Sequence, residues 1–203
     1  MQRQRRPAQI TPETTGGLRG NKASVWEGGL RVPCIIEWPA VLKPRITIYP
    51  ASTMDIFPTL AELLDLPEAA LLRPTDGDSL ASLFDHDLKS REKPIPFRFN
   101  EKGALIDNDY KLVTTDRETG AFELYNLKDD PKETTNISQD EPEVFHRMKT
   151  MFLEWNNSVE ASVAGKDYLE GRVRDGEPES HDWKDDERYM KALDAWNKEK
   201  NMS

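Results

Sequence analysis

The period of the hydrophobic pattern changes along this chain, and the change limits the folds that the chain can adopt. Apolar and polar side chains alternate in the stretches 96–100, 104–106, 110–115 and 122–127. Alternation places every second side chain on the same face of a strand. Short turns such as Asp107–Asp109 separate the last three stretches. These three therefore predict an antiparallel meander of three strands joined by short turns, with one face exposed to water.

From Pro142 onward the apolar residues recur every three or four positions, which is the spacing of an amphipathic helix. The stripe consists of Val144, Phe145, Met148, Met151, Phe152, Trp155, Val159 and Val163. It predicts a helix of about 22 residues that ends before Gly165 and packs across the meander through ordinary core contacts. The two patterns together predict an α+β unit.

Three more elements are predicted from local patterns. A helix is expected over 53–66, capped by Ser52, Thr53 or Asp55, because apolar residues again recur at helical spacing. These residues are Ile56, Phe57, Leu60, Leu63 and Leu64. The apolar run 34–38 predicts a short buried strand in which Cys34 is a small buried side chain. The stretch 185–198 predicts a last docked helix.

The distribution of charge excludes several classes of protein. The formal net charge is −9 in total, with +5 over residues 1–50, −11 over 51–164 and −3 over 165–203. An acidic bulk argues against a nucleic-acid groove. The chain has no apolar run of the ~18 residues that a membrane-spanning helix needs. Residues 1–10 lack the apolar core of a signal peptide, so the compartment stays unknown from this chain.

The usual patterns of metal and nucleotide sites are missing from the sequence. The single cysteine excludes a site with several thiolate ligands, and His86, His146 and His181 occur in unrelated segments. Asp76–Asp78 resembles part of a calcium loop without its remaining ligands. No metal ligand is therefore predicted in this chain.

Residues 16–33 are the most informative segment for function. They hold five of the eleven glycines, and Lys22 lies among them within the basic part of the chain. A lysine beside open backbone N–H groups can bind an anion as a compact point charge. On physical grounds alone, a solvated surface lysine is the favoured interpretation of Lys22.

The segment Leu18–Pro33 reads LRGNKASVWEGGLRVP, and it resembles the L-R-G-x-K-x-x-x-[YW]-E-G-G-x-R-V-P segment of the arylsulfatase-like sulfatases. Further motifs follow in that family's order over residues 14–165. They are Glu37–Pro39, Ser52–Leu60, Asp76–Leu80, Tyr110–Leu112 and Glu123–Leu127. The resemblance is to the C-terminal portion of a sulfatase, within the alkaline-phosphatase superfamily.

This resemblance implies a function. Sulfatases hydrolyse sulfate esters with a formylglycine made from Cys or Ser in a C/S-x-P-x-R motif, beside a divalent metal that is usually calcium. Lys22 matches the lysine that contacts sulfate oxygens, so it is the expected catalytic and substrate-binding residue. Trp26 is expected either to wall the substrate pocket or to pack in the core. Glu27 and Arg31 are expected to brace the loop as a local ion pair.

The resemblance also implies a domain organisation. Residues 1–90 would be the C-terminal remainder of the α/β catalytic domain, 91–165 a small domain of antiparallel sheet and helix, and 166–203 a tail. Nothing in the chain matches C/S-x-P-x-R or the family's Asp-Asp and Asn metal ligands, since Ile35–Glu37 follow Cys34. The sequence therefore predicts part of a sulfatase for aryl or carbohydrate sulfates that does not turn over alone. Relatives are often periplasmic or secreted.

Two alternatives remain open at this point. The first is a phosphate or phosphonate monoester hydrolase of the same superfamily, although the E-G-G-x-R-V-P context favours sulfate. The second is a non-catalytic product, either a remnant or a module that binds sulfated glycans. The acidic charge beyond residue 50 argues against a glycan-binding surface.

Overall fold

A computed structural model describes residues 12–67, 75–117 and 120–166 of this chain. Its centre is an antiparallel sheet of four strands in the order β1-β2-β3-β4. The strands are β1 (Ile95–Phe99), β2 (Lys102–Asp107), β3 (Tyr110–Thr114) and β4 (Glu123–Asn126). The predicted meander is confirmed, and the alternating stretch 96–100 gives it a fourth strand.

Tight turns set the register of the first three strands. Phe99 pairs with Lys102, and Asp107 pairs with Tyr110, so only two residues connect each pair of strands. Asn100 and Asn108 adopt left-handed backbone angles, with φ of 51° and 53°. Asn tolerates this conformation better than most residues, which explains its place in both turns.

Helix α3 (Pro142–Val163) covers one face of the sheet, as the hydrophobic stripe predicts. Met148 and Phe152 are buried against the strands, in a cluster with Leu105, Leu112, Phe122 and Leu124. Gly103 of β2 makes room for the helix, because a Cβ atom at this position would lie 2.3 Å from the Phe152 ring. The helix ends just before Gly165, whose φ is +76°, as the sequence predicts.

The other face of the sheet is covered as well, so the prediction of one water-exposed face is wrong. Val25 packs there on Ala104, Val113 and Tyr125, and all four residues are buried. The covering segment is the glycine-rich stretch, which includes the one-turn helix α1 (Glu27–Leu30). The alternating pattern fixes which residues share a face of a sheet, but a distant segment decides whether that face is covered.

Helix α2 (Ile56–Leu63) follows a 3-10 turn over Thr53–Asp55. Ser52 and Asp55 form a capping box at its start, so the predicted helix and its cap are confirmed. A further 3-10 turn covers Ala81–Phe84.

The buried strand predicted at 34–38 is wrong. Residues 34–38 form neither strand nor helix, and Ile35 is 91% exposed. Cys34 is exposed as well, which contradicts its predicted burial. An apolar run forms a strand only where another strand pairs with it, and no described segment does so here. The helix predicted at 185–198 lies outside the described residues.

None of the helices within the described ranges has the length and apolar content that crossing a bilayer requires.

Candidate functional site

Lys22 lies at the tip of a tight turn in the glycine-rich segment. Ser24 N–H and the Ser24 hydroxyl both donate to the Asn21 carbonyl, at 3.0 and 2.7 Å, which closes the turn around Lys22 and Ala23. Ala23 has a φ of 71°, a left-handed angle that is uncommon for a residue with a Cβ atom. The turn therefore holds a strained backbone next to the candidate anion-binding side chain.

The backbone on either side of this turn is packed too closely for larger residues. Gly28 N–H donates to the Arg19 carbonyl at 2.8 Å. A Cβ atom on Gly28 would lie 2.5 Å from the Gly20 carbonyl oxygen, and one on Gly29 would lie 2.5 Å from the Asn21 carbonyl oxygen. The two glycines of the E-G-G motif thus allow the start and the end of the loop to lie directly against each other.

The Lys22 side chain is exposed and lies beside a shallow pocket of about 330 Å³. The pocket walls come from the loop and from strand β1. They consist of Ala23, Ser24, Val25, Gly29, Leu30, Phe97, Arg98 and Phe99. Among the described residues no ion pair neutralises the Lys22 ammonium, so its charge is available to an anion in or near this pocket.

Trp26 is half-buried and packs behind the loop. Its ring lies 3.5 Å from the Arg19 guanidinium carbon and meets Tyr125 edge to face, with centroids 5.7 Å apart. These contacts match the packing alternative for Trp26. Its contact with substrate stays a prediction.

Glu27 does not pair with Arg31, so the local ion pair predicted between them is wrong. Helix α1 ends after one turn and Arg31 takes extended backbone angles, which leaves its side chain exposed. The Glu27 carboxylate instead accepts from Lys111 Nζ at 2.8 Å, across 84 positions of sequence. A four-residue spacing favours a side-chain pair only where the helix continues through both residues.

Lys111 lies on strand β3 between two carboxylates. Its ammonium is 2.8 Å from Glu27 Oε1 and 2.8 Å from Glu133 Oε1, and the Lys111 side chain has no exposure. Glu133 Oε2 also accepts from the Glu27 backbone N–H at 2.7 Å. Burial raises the pKa of Glu133, and the attraction of Lys111 offsets only part of that effect.

Arg19 connects the same cluster to strand β4. Its guanidinium donates to the Glu133 carbonyl at 2.8 Å and to the Tyr125 hydroxyl at 3.1 Å. Burial and a hydrogen bond to Glu123 raise the pKa of Tyr125 to about 12. The phenol therefore keeps its proton and donates it to Glu123 at 2.7 Å.

Sequence reasoning missed Lys111 and Glu133. A usable signal exists for Lys111, because the alternation of β3 places it on the same face as Val113 rather than on a polar face. A charged residue at an inward position requires a buried partner. No local pattern marks Glu133 in a comparable way, since it follows the sheet in a loop.

A second buried pair holds helix α2. Arg91 donates to both Asp55 oxygens, at 2.8 and 2.7 Å, and Asp55 also accepts from the backbone N–H groups of Ser52 and Asp78. Burial alone would raise the pKa of Asp55, but these hydrogen bonds outweigh it and hold the pKa below its ordinary value. The Asp76–Asp78 turn thus supports a helix cap.

The residues present do not fit the formylglycine or the calcium ion that the resemblance implies. Cys34 has no Pro or Arg at the required spacing, and its side chain is exposed. Within the described part of the chain, no group of three or more His, Cys, Asp or Glu side chains is arranged to hold a metal ion.

Comparison with known proteins gives a consistent result. Residues 20–158 match the family model described as N-sulphoglucosamine sulphohydrolase, C-terminal. The chain is 32% identical over 149 residues to an N-acetylgalactosamine-6-O-sulfatase of Bacteroides thetaiotaomicron, which covers 67% of this chain and 29% of that protein. It is 39% identical over 89 residues to the steryl-sulfatase of Mus musculus, covering 42% of this chain and 14% of that enzyme.

Among solved structures, one from a Bacteroides thetaiotaomicron locus for the metabolism of multiple glycosaminoglycans superposes with a TM-score of 0.61 at 29% identity. The superposition covers 70% of this chain and 32% of that one. The chain thus spans less than a third of the length of these relatives. The match to the family model extends over more than half of the chain, from the L-R-G motif through most of α3. The chain therefore belongs to the sulfatases, a family of sulfuric ester hydrolases, and contains their C-terminal domain.

Proposed function

We propose that this chain supplies the C-terminal part of a sulfatase for aryl or carbohydrate sulfate esters, in which the Lys22 ammonium contacts the sulfate group. The observation that carries the proposal is the position of Lys22, which is exposed and without an ion pair among the described residues, at the tip of a loop held at both ends. A loop held in this way presents a fixed positive charge, which stabilises negative charge that develops as an ester bond breaks.

The surrounding chemistry supports an anionic ligand at this place. Residues 1–50 carry a net charge of +5 in a chain that is acidic elsewhere. The pocket combines the Lys22 ammonium with the apolar side chains of Leu30 and Phe97. Arg98 also lines the pocket, but its guanidinium pairs with Glu160 at 2.7 Å. A sulfate ester joins an anionic group to an apolar or sugar body, so both parts find a complementary surface there.

We further propose that the chemical step needs residues that this chain does not hold, so that the chain alone does not turn over. Formylglycine and calcium, which the family implies, would be supplied by the part of the relatives' length that this chain does not span. The domain assignment follows the same proposal, with 1–90 completing the catalytic domain, 91–165 forming the small domain and 166–203 the tail.

The exposed apolar side chains of residues 32–66 support this division. Ile35, Ile46 and Ile48 are each more than 90% exposed, and the apolar stripe of α2 faces outward as well. An apolar surface of this extent marks an interaction site in a folded protein. We propose that the catalytic part of the sulfatase covers it.

The first experiment measures hydrolysis of 4-nitrophenyl sulfate by the isolated chain with added calcium. We expect no rate above that of buffer, and clear turnover would contradict the proposed division.

The coding DNA upstream of the Met1 codon is sequenced in parallel. A stretch in frame that encodes C/S-x-P-x-R is expected, and unrelated sequence there would favour a remnant or a binding module.

The second experiment tests Lys22 in the polypeptide that contains both parts. Lys22→Met should lower kcat by about 10²–10³-fold, the usual loss when a single donor to a developing charge is removed. Lys128→Met is the matched control, because Lys128 is a highly exposed lysine on the β4 side of the sheet. Equal activity of the two variants would refute the role of Lys22. Faster hydrolysis of 4-nitrophenyl phosphate than of the sulfate would favour the phosphate ester alternative.

A further inference from the structure

The cluster of Glu27, Lys111 and Glu133 is expensive to bury and therefore requires an explanation. Two carboxylates and one ammonium lose their hydration there, and Lys111 and Glu133 are both 0% exposed. Buried ion pairs of this kind often stabilise a fold no better than apolar residues of the same size. Such pairs instead fix the relative positions of the segments that carry them, because each buried charge is compensated by only one set of partners.

The three residues of the cluster come from three separate segments. Glu27 belongs to α1, Lys111 to β3, and Glu133 to the loop after β4. Glu133 contacts both of the others, through one oxygen to Lys111 and through the second to the Glu27 backbone N–H. The cluster thus attaches the C-terminal end of the Lys22 loop to the sheet.

Arg19 attaches the N-terminal end of the same loop. Its guanidinium binds the Glu133 carbonyl and the Tyr125 hydroxyl, and its face lies on Trp26. The segment between Arg19 and Glu27 is then closed by the backbone contact of Gly28 N–H with the Arg19 carbonyl. The polar attachments at both ends thus pass through Glu133 or a residue that contacts it. Between them, Val25 packs on Ala104 and Val113, and Lys102 donates to the Ala23 carbonyl at 3.3 Å.

We propose that Arg19, Glu27, Lys111 and Glu133 are positioning residues that hold the Lys22 loop on the small sheet. This inference rests on the proposed role of Lys22 for its functional meaning, since Lys22 is the group being positioned. It assigns the C-terminal sheet a part in the site, because a lysine on β3 fixes a loop that carries the sulfate contact. In this proposal the four residues act through the position of the loop, and Lys22 makes the contact with the sulfate group.

The test measures backbone hydrogen exchange, by mass spectrometry of the isolated chain, in residues 19–31 and in helix α3. In Lys111→Met two buried carboxylates lose their counter-charge, and exchange in 19–31 should rise by about tenfold or more while α3 changes less. Arg19→Ala removes the second attachment without leaving a buried charge, and it should raise exchange in the same segment. Arg19→Lys should restore part of the protection, because an ammonium can still donate to the Glu133 carbonyl.

Arg147→Ala is the matched control, since Arg147 is a half-exposed arginine whose ion pair to Asp107 lies away from the loop. It should leave residues 19–31 unchanged. Equal increases in 19–31 and α3, or no increase in 19–31 for Arg19→Ala, would overturn the proposal. The Arg19 variants decide the matter if Lys111→Met does not fold. Failure of the proposed function is seen separately, as full sulfatase activity of Lys22→Met in the complete polypeptide.

Discussion

Helices α2 and α3 have similar apolar patterns and opposite environments. In α3 the stripe faces the sheet, and Phe152 is 1% exposed. In α2 the stripe faces away from the described residues, and Phe57 is 47% exposed. The buried side of α2 instead holds Thr59 and Ala61, and it is attached through the polar groups of Asp55 and Arg91.

Amphipathic spacing therefore predicts a helix without predicting which partner covers its apolar face. Helix α3 packs on the sheet of this chain, whose strands come shortly before the helix in the sequence. Helix α2 finds polar contacts within the chain and leaves its apolar side chains open. The chain spans less than a third of the length of the relatives compared above, and in our proposal the catalytic part of the sulfatase covers this open stripe.

The largest expected contrast between the helices comes from replacing one phenylalanine in each. Phe152→Ala should lower the free energy of unfolding by about 3–5 kcal/mol, because it leaves a cavity under the sheet. Phe57→Ala should lower it by only about 1–1.5 kcal/mol, because the ring is already 47% exposed and leaves no enclosed cavity. Urea unfolding of the isolated chain measures both. Similar losses for the two variants would mean that the apolar face of α2 is packed as well as that of α3.

Gly103 tests the packing of α3 from the side of the sheet. Gly103→Ala places a Cβ atom against the Phe152 ring and should cost about 1–3 kcal/mol of unfolding free energy by overpacking. Gly120→Ala is the control, because it meets no atom within 4 Å and strains only its left-handed backbone. That strain costs about 1 kcal/mol. A smaller loss for Gly103→Ala than for Gly120→Ala would show that α3 shifts easily.

Some features of this structure can be predicted from local sequence patterns, and others cannot. The meander, α2 with its cap, and α3 with its terminal glycine all follow from periodicity and capping residues, which act over a few positions. The burial of Lys111 and the exposure of Ile35 do not follow, because both depend on segments far away in sequence. Local patterns also placed Lys22 on the loop but could not reveal that Glu133, more than a hundred positions later, helps to hold that loop.

Two buried carboxylates, Glu133 beside the Lys22 loop and Asp55 at the start of α2, should change the stability of the fold in opposite directions as the pH rises. The pKa of Glu133 is raised above its ordinary 4.5, so the folded state binds its proton more tightly than the unfolded state. Its contribution to stability is complete below pH 4.5 and is lost as pH rises through the folded pKa. The pKa of Asp55 is lowered below 3.8, so its contribution is present above pH 3.8 and is lost as pH falls through the folded pKa.

Unfolding free energies measured from pH 3 to pH 8 separate the two groups. Glu133→Gln should remove the decline above pH 4.5, which amounts to at most about 1.4 kcal/mol per pH unit for one proton. It should leave the acid side of the profile unchanged. Asp55→Asn should flatten only the acid side. A Glu133→Gln profile parallel to that of the wild type would mean that Glu133 keeps an ordinary pKa in the folded protein.

The smallest effect on stability is expected from the exposed stripe of α2, where Leu60 and Leu64 are 51% and 67% exposed. Leu60→Ser with Leu64→Ser should change the free energy of unfolding by about 0.5 kcal/mol or less at each position, since little buried area is lost. Binding of an apolar fluorescent dye should nevertheless fall, because the dye reports open apolar surface. Leu105→Ser is the reference, since it should unfold the sheet and increase dye binding. If the α2 variant loses stability and dye binding is unchanged, a part of this chain already covers the stripe, and α2 then resembles α3 after all.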